Sequence, residues 1–216
     1  INVGYAPFFD LNLKKLINEK NLIDKFNLDI KKKLILFTMH PLPLDITSTK
    51  KEIKETIEAL KILDENKFQI IATYPNFDPG YKFIIKELNK LKIKKNFTFI
   101  PSLGNKYYHS FLNYMGKKNK GICMGNSSSG IKESIFFGCN TLNIGKRQNN
   151  RTRPNNIVDV KKISSKIIYL SIFKTFNMKN GKKINPYSIK NSLKYISAKL
   201  FLFLKDKKII FKKCTY

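Results

Sequence analysis

The sequence predicts an α/β protein built on a Rossmann-like, doubly wound parallel sheet. Short apolar runs alternate with amphipathic stretches in at least four successive β-α steps, and the loops between them are short. The run Leu34–Thr38 is continuous rather than alternating, which is typical of a strand covered on both faces. With 216 residues, 42% of them hydrophobic, the chain is long enough to bury a substantial core, and this composition disfavours general disorder.

The elements follow one another in a regular order. The predicted strands are Leu34–Thr38, Gln69–Tyr74, Phe97–Pro101, Gly121–Met124 and Thr141–Ile144. The first predicted helices are a short one within Leu11–Lys33, then Ser48–Asn66, and then a helix that ends near Leu91. They are followed by Lys106–Met115, Ser129–Phe137 and one or two helices from Val160 onward. Thr47 or Ser48 could be the N-cap of Ser48–Asn66. We therefore expect a lead-in at residues 1–30, the Rossmann-like domain at 31–160, and C-terminal helices at 161–216 that pack on it.

The charge of +27 at first suggests nucleic-acid binding. Only three of the 42 basic residues are arginine, however, and the lysines occur in nearly every segment instead of collecting on one face. We therefore expect no specific nucleic-acid partner. The three cysteines form no CxxC pair and no apolar run could span a bilayer, so we expect no metal site, no membrane association and a cytoplasmic location.

Polar residues follow several of the predicted strands, where parallel sheets bind their ligands. They are His40, Asn76, Ser102 and the segment Asn126–Gly130. Neither GxGxxG nor a complete phosphate-binding P-loop occurs, so a dinucleotide dehydrogenase or an NTPase is disfavoured.

The segment Gly125–Glu133 (GNSSSGIKE) is the strongest local signal. Ser127, Ser128 and Ser129 precede or begin a helix, where hydroxyls and unpaired N–H groups can bind a phosphate. We place Glu133 in the first helical turn, where its carboxylate could accept hydrogen bonds from ribose hydroxyls. Simple helix capping by a serine explains the same residues, and the two interpretations are compatible.

A second signal is the loop Gly145–Arg153, which holds all three arginines of the chain. A guanidinium binds phosphate through two parallel hydrogen bonds, which a lysine cannot do. The alternative is a solvated basic loop.

The two histidines are interpreted differently. His40 directly follows a buried strand, from which an imidazole can donate to a phosphate or transfer a proton, or can serve structure alone. His109 falls within a helix and is interpreted as a surface or packing residue. Asn76 and Asp78 are turn residues by default.

Four segments in this order resemble the hydrolysing UDP-N-acetylglucosamine 2-epimerases of sialic acid biosynthesis. The matching segments are Phe37–Pro41, Tyr74–Gly80, Gly125–Glu133, and Asn143–Gln148 followed by Arg151 and Asn156. The resemblance implies a GT-B arrangement of two Rossmann-like domains, of which this chain would be the second, nucleotide-binding one. Residues 1–30 would then hold the segment that joins the two domains, followed by the lead-in helix.

The resemblance also implies residue roles and partners. The expected ligand is a UDP-sugar, with no cofactor and no metal. Its binding residues would be Asn76, Ser127, Ser128, Ser129, Gly130, Glu133, Arg147, Gln148 and Arg151, and His40 would act at the sugar-diphosphate bond. The carboxylates that move the C2 proton would belong to a first domain that this chain lacks. The chain alone would therefore bind UDP weakly and catalyse no reaction. The family also implies a homo-oligomer.

Three departures and three alternatives accompany the resemblance. Asn140 stands where a proline is usual, and Asn150 stands where a glycine is usual. Pro43 takes the place of a small hydroxyl residue or its neighbour after His40-Pro41, which would alter the sugar pocket, so the sugar could be a diacetamido-trideoxy hexose. Asn150 is the milder change because asparagine tolerates a left-handed backbone. The alternatives are a GT-B glycosyltransferase, a non-catalytic basic binding module, and the non-hydrolysing epimerase branch, against which Ser134 after Glu133 counts.

Overall fold

A computed structural model describes residues 16–178, 184–188 and 192–205 of the chain. The chain divides into two compact units, residues 13–185 and residues 1–12 together with 186–216. The larger unit holds the sheet and all the candidate site residues. In the smaller unit, the described residues include one helix, Ser192–Lys205. Residues 1–15, and with them the segment expected to join two domains, lie outside the described residues, as does Cys214.

The larger unit is a six-stranded sheet in which every pairing is parallel, with the strand order β3-β2-β1-β4-β5-β6. The strands are β1 (Lys33–Thr38), β2 (Phe68–Thr73), β3 (Phe97–Ile100), β4 (Gly121–Gly125), β5 (Asn140–Ile144) and β6 (Ile157–Val160). The helices are α1 (Glu19–Phe26), α2 (Ile46–Lys61), α3 (Tyr81–Asn89), α4 (Gly104–Lys118), α5 (Ser128–Lys132), α6 (Ser165–Phe176) and, in the smaller unit, α7 (Ser192–Lys205). The predicted doubly wound parallel sheet is therefore confirmed.

The core lies between the sheet and the helices. The side chains of β1 from Leu34 to Thr38 are all buried, as expected for a central strand covered on both faces. Helix α2 contributes Ile53, Ile57 and Leu60 to this core, at the spacing of one helical face. Helix α6 adds Ile168, Ile172 and Phe176.

The structure differs from the sequence-based expectations at three places. Strand β6 was not predicted, because Ile157–Val160 is only four residues long and forms a partly exposed edge of the sheet. The N-cap of α2 is Asp45, whose side chain accepts from the Ser48 amide, and not Thr47 or Ser48. The expected helix over Ser129–Phe137 is instead α5 followed by a separate 3₁₀ turn, Ser134–Phe137.

Within the described residues, no helix is both long and apolar enough to cross a bilayer. The part of the chain that the structure describes also contains no group of three histidine, cysteine or acidic side chains arranged to hold a metal ion.

Candidate functional site

The candidate site lies at the switch point of the sheet, where neighbouring strands β1 and β4 lead into connections that run in opposite directions. His40 follows β1 and Asn126 follows β4. The His40 amide donates to Asn126 Oδ1 (2.7 Å), and Asn126 Nδ2 donates to the His40 carbonyl (2.9 Å). These two bonds hold the loop after β1 against the loop after β4.

Gly125, the last residue of β4, permits this close approach. Its φ of +124° is a conformation that L side chains rarely adopt, and a Cβ there would lie 1.9 Å from the Thr38 carbonyl oxygen. The glycine is therefore required by backbone packing at the switch point, independently of any ligand.

The His40 imidazole is fixed and uncharged at neutral pH. The Asn76 amide donates to His40 Nδ1 at 3.0 Å, so the ring proton of the neutral form is on Nε2. Burial, assisted by the positive charge of Arg147, lowers the pKa of His40 from 6.5 to about 4, although the Asp78 charge and the side chain of Asn76 act in the opposite direction. Of the two roles considered for His40, this geometry favours hydrogen-bond donation from Nε2 over proton storage near pH 7.

Asn76 and Asp78 belong to the turn after β2. The Asn76 side chain is exposed and donates from Nδ2 to Asp78 Oδ2 at 3.0 Å. The backbone of Asn76 meanwhile holds His40, so this turn orients the imidazole whether or not the asparagine side chain meets a ligand.

The serine segment forms the start of α5. Ser127 is the N-cap, and its Oγ accepts from the Ser129 amide at 3.4 Å; Ser128 is the first helical residue. All three serines are partly exposed. Gly130 is buried, and a Cβ there would lie 2.9 Å from Thr141 Cγ2, so glycine allows α5 to pack closely on β5. The expected capping role of a serine is therefore present in a segment whose serines are partly exposed.

Glu133 lies at the opposite end of α5 from the one expected. It is the C-cap of that five-residue helix and not a first-turn residue. The Ser129 hydroxyl donates to Glu133 Oε1 (3.2 Å), and His109 Nε2 lies 2.9 Å from Glu133 Oε2. The carboxylate, with its side chain 14% exposed, is thus held on both of its oxygens.

His109 lies at this site, although its position within a helix predicted only a surface or packing role. Its ring stacks on Phe137, so the packing role is real, but it also contacts Glu133 across 24 positions of sequence. Helical periodicity cannot show a contact between α4 and the end of α5, because that contact depends on how two βα units pack together.

The loop after β5 also contacts Asn126. Gln148 is buried and donates from Nε2 to the Asn126 carbonyl at 2.7 Å, and Arg147 Nη1 donates to the same oxygen at 3.2 Å. Arg147 is partly buried, which lowers the pKa of its guanidinium, while Asp78 acts in the opposite direction. Asn126 therefore connects the loops after β1, β4 and β5, and brings Arg147 and His40 together.

The other two arginines differ from Arg147. Arg153 Nε bonds Asp159 Oδ2 (2.9 Å), and its Nη1 donates to the carbonyls of Gln148 and Arg151, both at 2.8 Å. Arg153 is thus committed to shaping the loop. Arg151 is exposed. Asn150 has φ +63°, which confirms that asparagine supplies the left-handed backbone expected at this position.

A buried acid supports the base of this loop. Glu52 of α2 is 3% exposed, and its Oε2 has no hydrogen-bond partner among the residues that the structure describes. A Cβ on Gly145 would lie only 2.2 Å from this carboxyl group, so the glycine makes room for it. Burial raises the pKa of Glu52 to about 7, although the Lys146 amide and charge oppose the shift.

An all-parallel sheet with hydrogen-bonding groups gathered at its switch point is the arrangement of doubly wound, Rossmann-like domains. Solved structures agree on the fold. The UDP-GlcNAc 2-epimerase of Methanocaldococcus jannaschii, in complex with UDP-GlcNAc and UDP, has a TM-score of 0.65 over 93% of this chain and 54% of that chain, at 18% identity. Sucrose-phosphate synthase from Thermosynechococcus elongatus has a TM-score of 0.57 over 90% of this chain and 51% of its own, at 14% identity.

Sequence comparisons establish the family. A family profile described as UDP-N-acetylglucosamine 2-epimerase matches residues 6–200, and the chain belongs to this family. The GDP/UDP-N,N'-diacetylbacillosamine 2-epimerase (hydrolyzing) of Campylobacter jejuni is 34% identical over 161 residues, which is 73% of this chain and 40% of that protein. The UDP-N,N'-diacetylbacillosamine 2-epimerase (hydrolyzing) of Legionella pneumophila is 31% identical over 72% of this chain and 39% of its own length. The chain thus spans about two fifths of these relatives.

Proposed function

We propose that this chain is the UDP-sugar-binding half of a hydrolysing UDP-acetamidosugar 2-epimerase. The observation that carries the proposal is the convergence of His40, Arg147 and the serine segment on Asn126 at the switch point. Family membership supports a nucleotide-sugar ligand, and the names of two relatives above 30% identity support the hydrolysing reaction.

The UDP diphosphate would lie between the hydroxyls of Ser127 and Ser128, the Arg147 fork and the Nε2–H of His40. Arginine and neutral histidine both donate without needing to give up a proton, and charge-assisted bonds of this kind are strong. Gly130 and Gln148 would maintain the loop positions, and Arg151 would face the ligand from the loop edge. Ser129 would act on the ligand through Glu133, to which its hydroxyl donates.

The ribose would bind at Glu133. A carboxylate at this position accepts hydrogen bonds from two hydroxyls, and would repel a phosphate placed in the same position. In this assignment the diphosphate would bind at Arg147 and the ribose at Glu133. Asn76 would lie toward the acetamido sugar of the substrate.

The reaction would proceed by elimination followed by hydration. Loss of the C2 proton and cleavage of the bond from C1 to the diphosphate oxygen would give UDP and a glycal-like intermediate. Water would then add across the double bond, its oxygen at C1 and a proton at C2 on the opposite face, to give a free 2-epimeric sugar. The residues of this chain would stabilise the negative charge that develops on the departing UDP.

The groups that remove and return the C2 proton would come from a first domain, and active enzyme would be a homo-oligomer. We place the reaction in the cytoplasm and in the formation of sialic or legionaminic acids. A diacetamido-trideoxy sugar is the proposed substrate, because both relatives described above carry diacetylbacillosamine in their names and Pro43 alters the segment after His40.

The test is to join the chain to the first half of the Campylobacter jejuni relative and incubate it in D2O with UDP-N,N'-diacetylbacillosamine or UDP-GlcNAc. A hydrolysing epimerase releases UDP and a free sugar with deuterium at C2. Retention of UDP on the epimerised sugar would indicate the non-hydrolysing reaction. UDP release that needs an acceptor and leaves C2 unlabelled would indicate a glycosyltransferase. Arg147→Lys should slow release at least tenfold, whereas Lys162→Ala, an exposed charge of the same unit, should not.

A further inference from the structure

His109 is joined to Glu133 by a short contact between partly buried groups. His109 Nε2 lies 2.9 Å from Glu133 Oε2, with the two side chains 16% and 14% exposed. An ionised carboxylate can only accept hydrogen bonds, so the proton of a neutral His109 is on Nε2 and points at the acid.

The imidazole is itself held in place. Its ring stacks on Phe137 with centroids 5.5 Å apart and planes 26° from parallel, and Phe137 is 7% exposed. Phe137 ends the 3₁₀ turn that begins directly after Glu133. The ring therefore packs on the same segment that carries the acid, which fixes the direction of the Nε2–H bond.

Glu133 is consequently held from two sides by two different elements. His109 of α4 bonds one carboxylate oxygen, and Ser129 of α5 bonds the other. Each carboxylate oxygen has two lone pairs, so an oxygen that already accepts from His109 or Ser129 can accept a second hydrogen bond. A glutamate otherwise samples many rotamers, and ordering it before binding removes that entropy cost from the binding step.

We propose that His109 is a positioning residue of the ribose site, which sets the Glu133 carboxylate in place to accept the 2'- and 3'-hydroxyls of UDP. This inference rests on the proposed function. Its consequence is selectivity: a fixed, partly buried carboxylate penalises a nucleotide that brings no hydroxyls to it.

The experiment compares the binding of UDP, 2',3'-dideoxy-UDP and pyrophosphate to the 216-residue chain by calorimetry. The variants are His109→Gln, whose Nε2–H reaches about as far as that of histidine, and His109→Asn, whose amide is too short. We expect the wild type and His109→Gln to prefer UDP over the dideoxy compound by about tenfold or more, the effect of one or two hydrogen bonds to a charged group. His109→Asn should lose most of this preference and bind pyrophosphate as the wild type does.

A folded His109→Asn protein that keeps the full preference would overturn the positioning role. A wild-type chain that binds UDP and the dideoxy compound equally would overturn it as well, but would leave the diphosphate site standing. A wild-type chain without saturable UDP binding would overturn the proposed function itself.

A measurement on the unaltered protein covers the case in which His109→Asn does not fold. Nitrogen-15 NMR should show the His109 ring with its proton on Nε2, and its signals should shift on addition of UDP but not of pyrophosphate. His109 ring signals that do not shift on addition of UDP, while other signals of the site do shift, would contradict the inference.

Discussion

The side chain of Asn126 makes two hydrogen bonds to the backbone of His40, one in each direction, at 2.7 and 2.9 Å. The two residues follow the adjacent strands β1 and β4. The side-chain amide of Asn126 therefore extends the hydrogen bonding between these strands beyond their carboxyl ends. The Asn126 carbonyl also accepts from Gln148 and Arg147. A single residue without exposed surface thus joins three loops of the candidate site.

Replacing Asn126 by alanine should therefore damage both stability and binding. The variant leaves the His40 amide and carbonyl without their partners, which costs about 1–3 kcal/mol for buried groups. We expect a reduced free energy of unfolding in urea and weaker UDP binding. Asn149→Ala, an exposed change on the neighbouring loop, is the control and should alter neither. An Asn126→Ala protein as stable as the wild type would contradict the connecting role.

His40 should titrate far below an ordinary histidine. Its pKa of about 4 in the folded chain lies below the usual 6.5, so the unfolded chain binds the proton more readily. His40 therefore contributes stability that is present above pH 6.5 and is lost as the pH falls toward 4. In His40→Asn, whose Oδ1 can still accept from the Asn76 amide, this loss should be absent.

Proton NMR of the His40 ring and urea unfolding at several pH values check this prediction. The stability difference between the wild type and His40→Asn should shrink as the pH falls from 6.5 to 4. A ring that titrates near pH 6.5 would show that burial and Arg147 do not act on it as described.

Glu52 should give the opposite dependence on pH. Its pKa in the folded chain is raised from 4.5 to about 7, so the folded chain binds the proton more tightly. Stability is then complete below pH 4.5 and falls as the pH rises through 7. Glu52→Gln, which stays uncharged, should be more stable than the wild type at pH 8 by roughly 1–3 kcal/mol and about equal at pH 4. Thermal unfolding of both proteins at the two pH values measures this, and an equal melting temperature at pH 8 would refute it.

Two glycines with positive φ should respond very differently to alanine. Gly125→Ala places a Cβ 1.9 Å from the Thr38 carbonyl oxygen, which the backbone of two paired strands cannot accommodate without separating. Gly104, at φ +59°, leaves the added Cβ more than 4 Å from the non-neighbouring residues that the structure describes, so alanine there should cost only the backbone strain of about 1–2 kcal/mol. Circular dichroism and urea unfolding should show Gly104→Ala folded and Gly125→Ala unfolded or severely destabilised. Equal stability of the two variants would contradict the described packing.

Much of the fold was readable from the sequence because the central strands are largely apolar and alternate with amphipathic helices. Leu34–Thr38 and Gln69–Tyr74 coincide with β1 and β2 to within one residue at each end. The edge strand β6 was missed because Ile157–Val160 is short and only partly buried, so its place is fixed by pairing with β5 and not by its own pattern.

The site was only partly readable for a related reason. The position of His40 and Asn126 at strand ends follows from the order of elements, because carboxyl ends of parallel strands meet at one edge. The contact from His109 to Glu133 joins side chains of separate helices, and Glu133 was placed at the wrong end of α5 because the helix stops after five residues. The ligand roles of the site residues remain predictions.

The most direct test of the central claim is a calorimetric titration of UDP into this chain and its Glu133→Ala variant, at low and at moderate salt, with free phosphate as the control ligand. A nucleotide site at the switch point predicts UDP binding by the wild type that survives moderate salt and weakens about tenfold or more in the variant. Heat that appears only at low salt, and equally for UDP, phosphate and both proteins, would instead show a generic basic surface and contradict the claim.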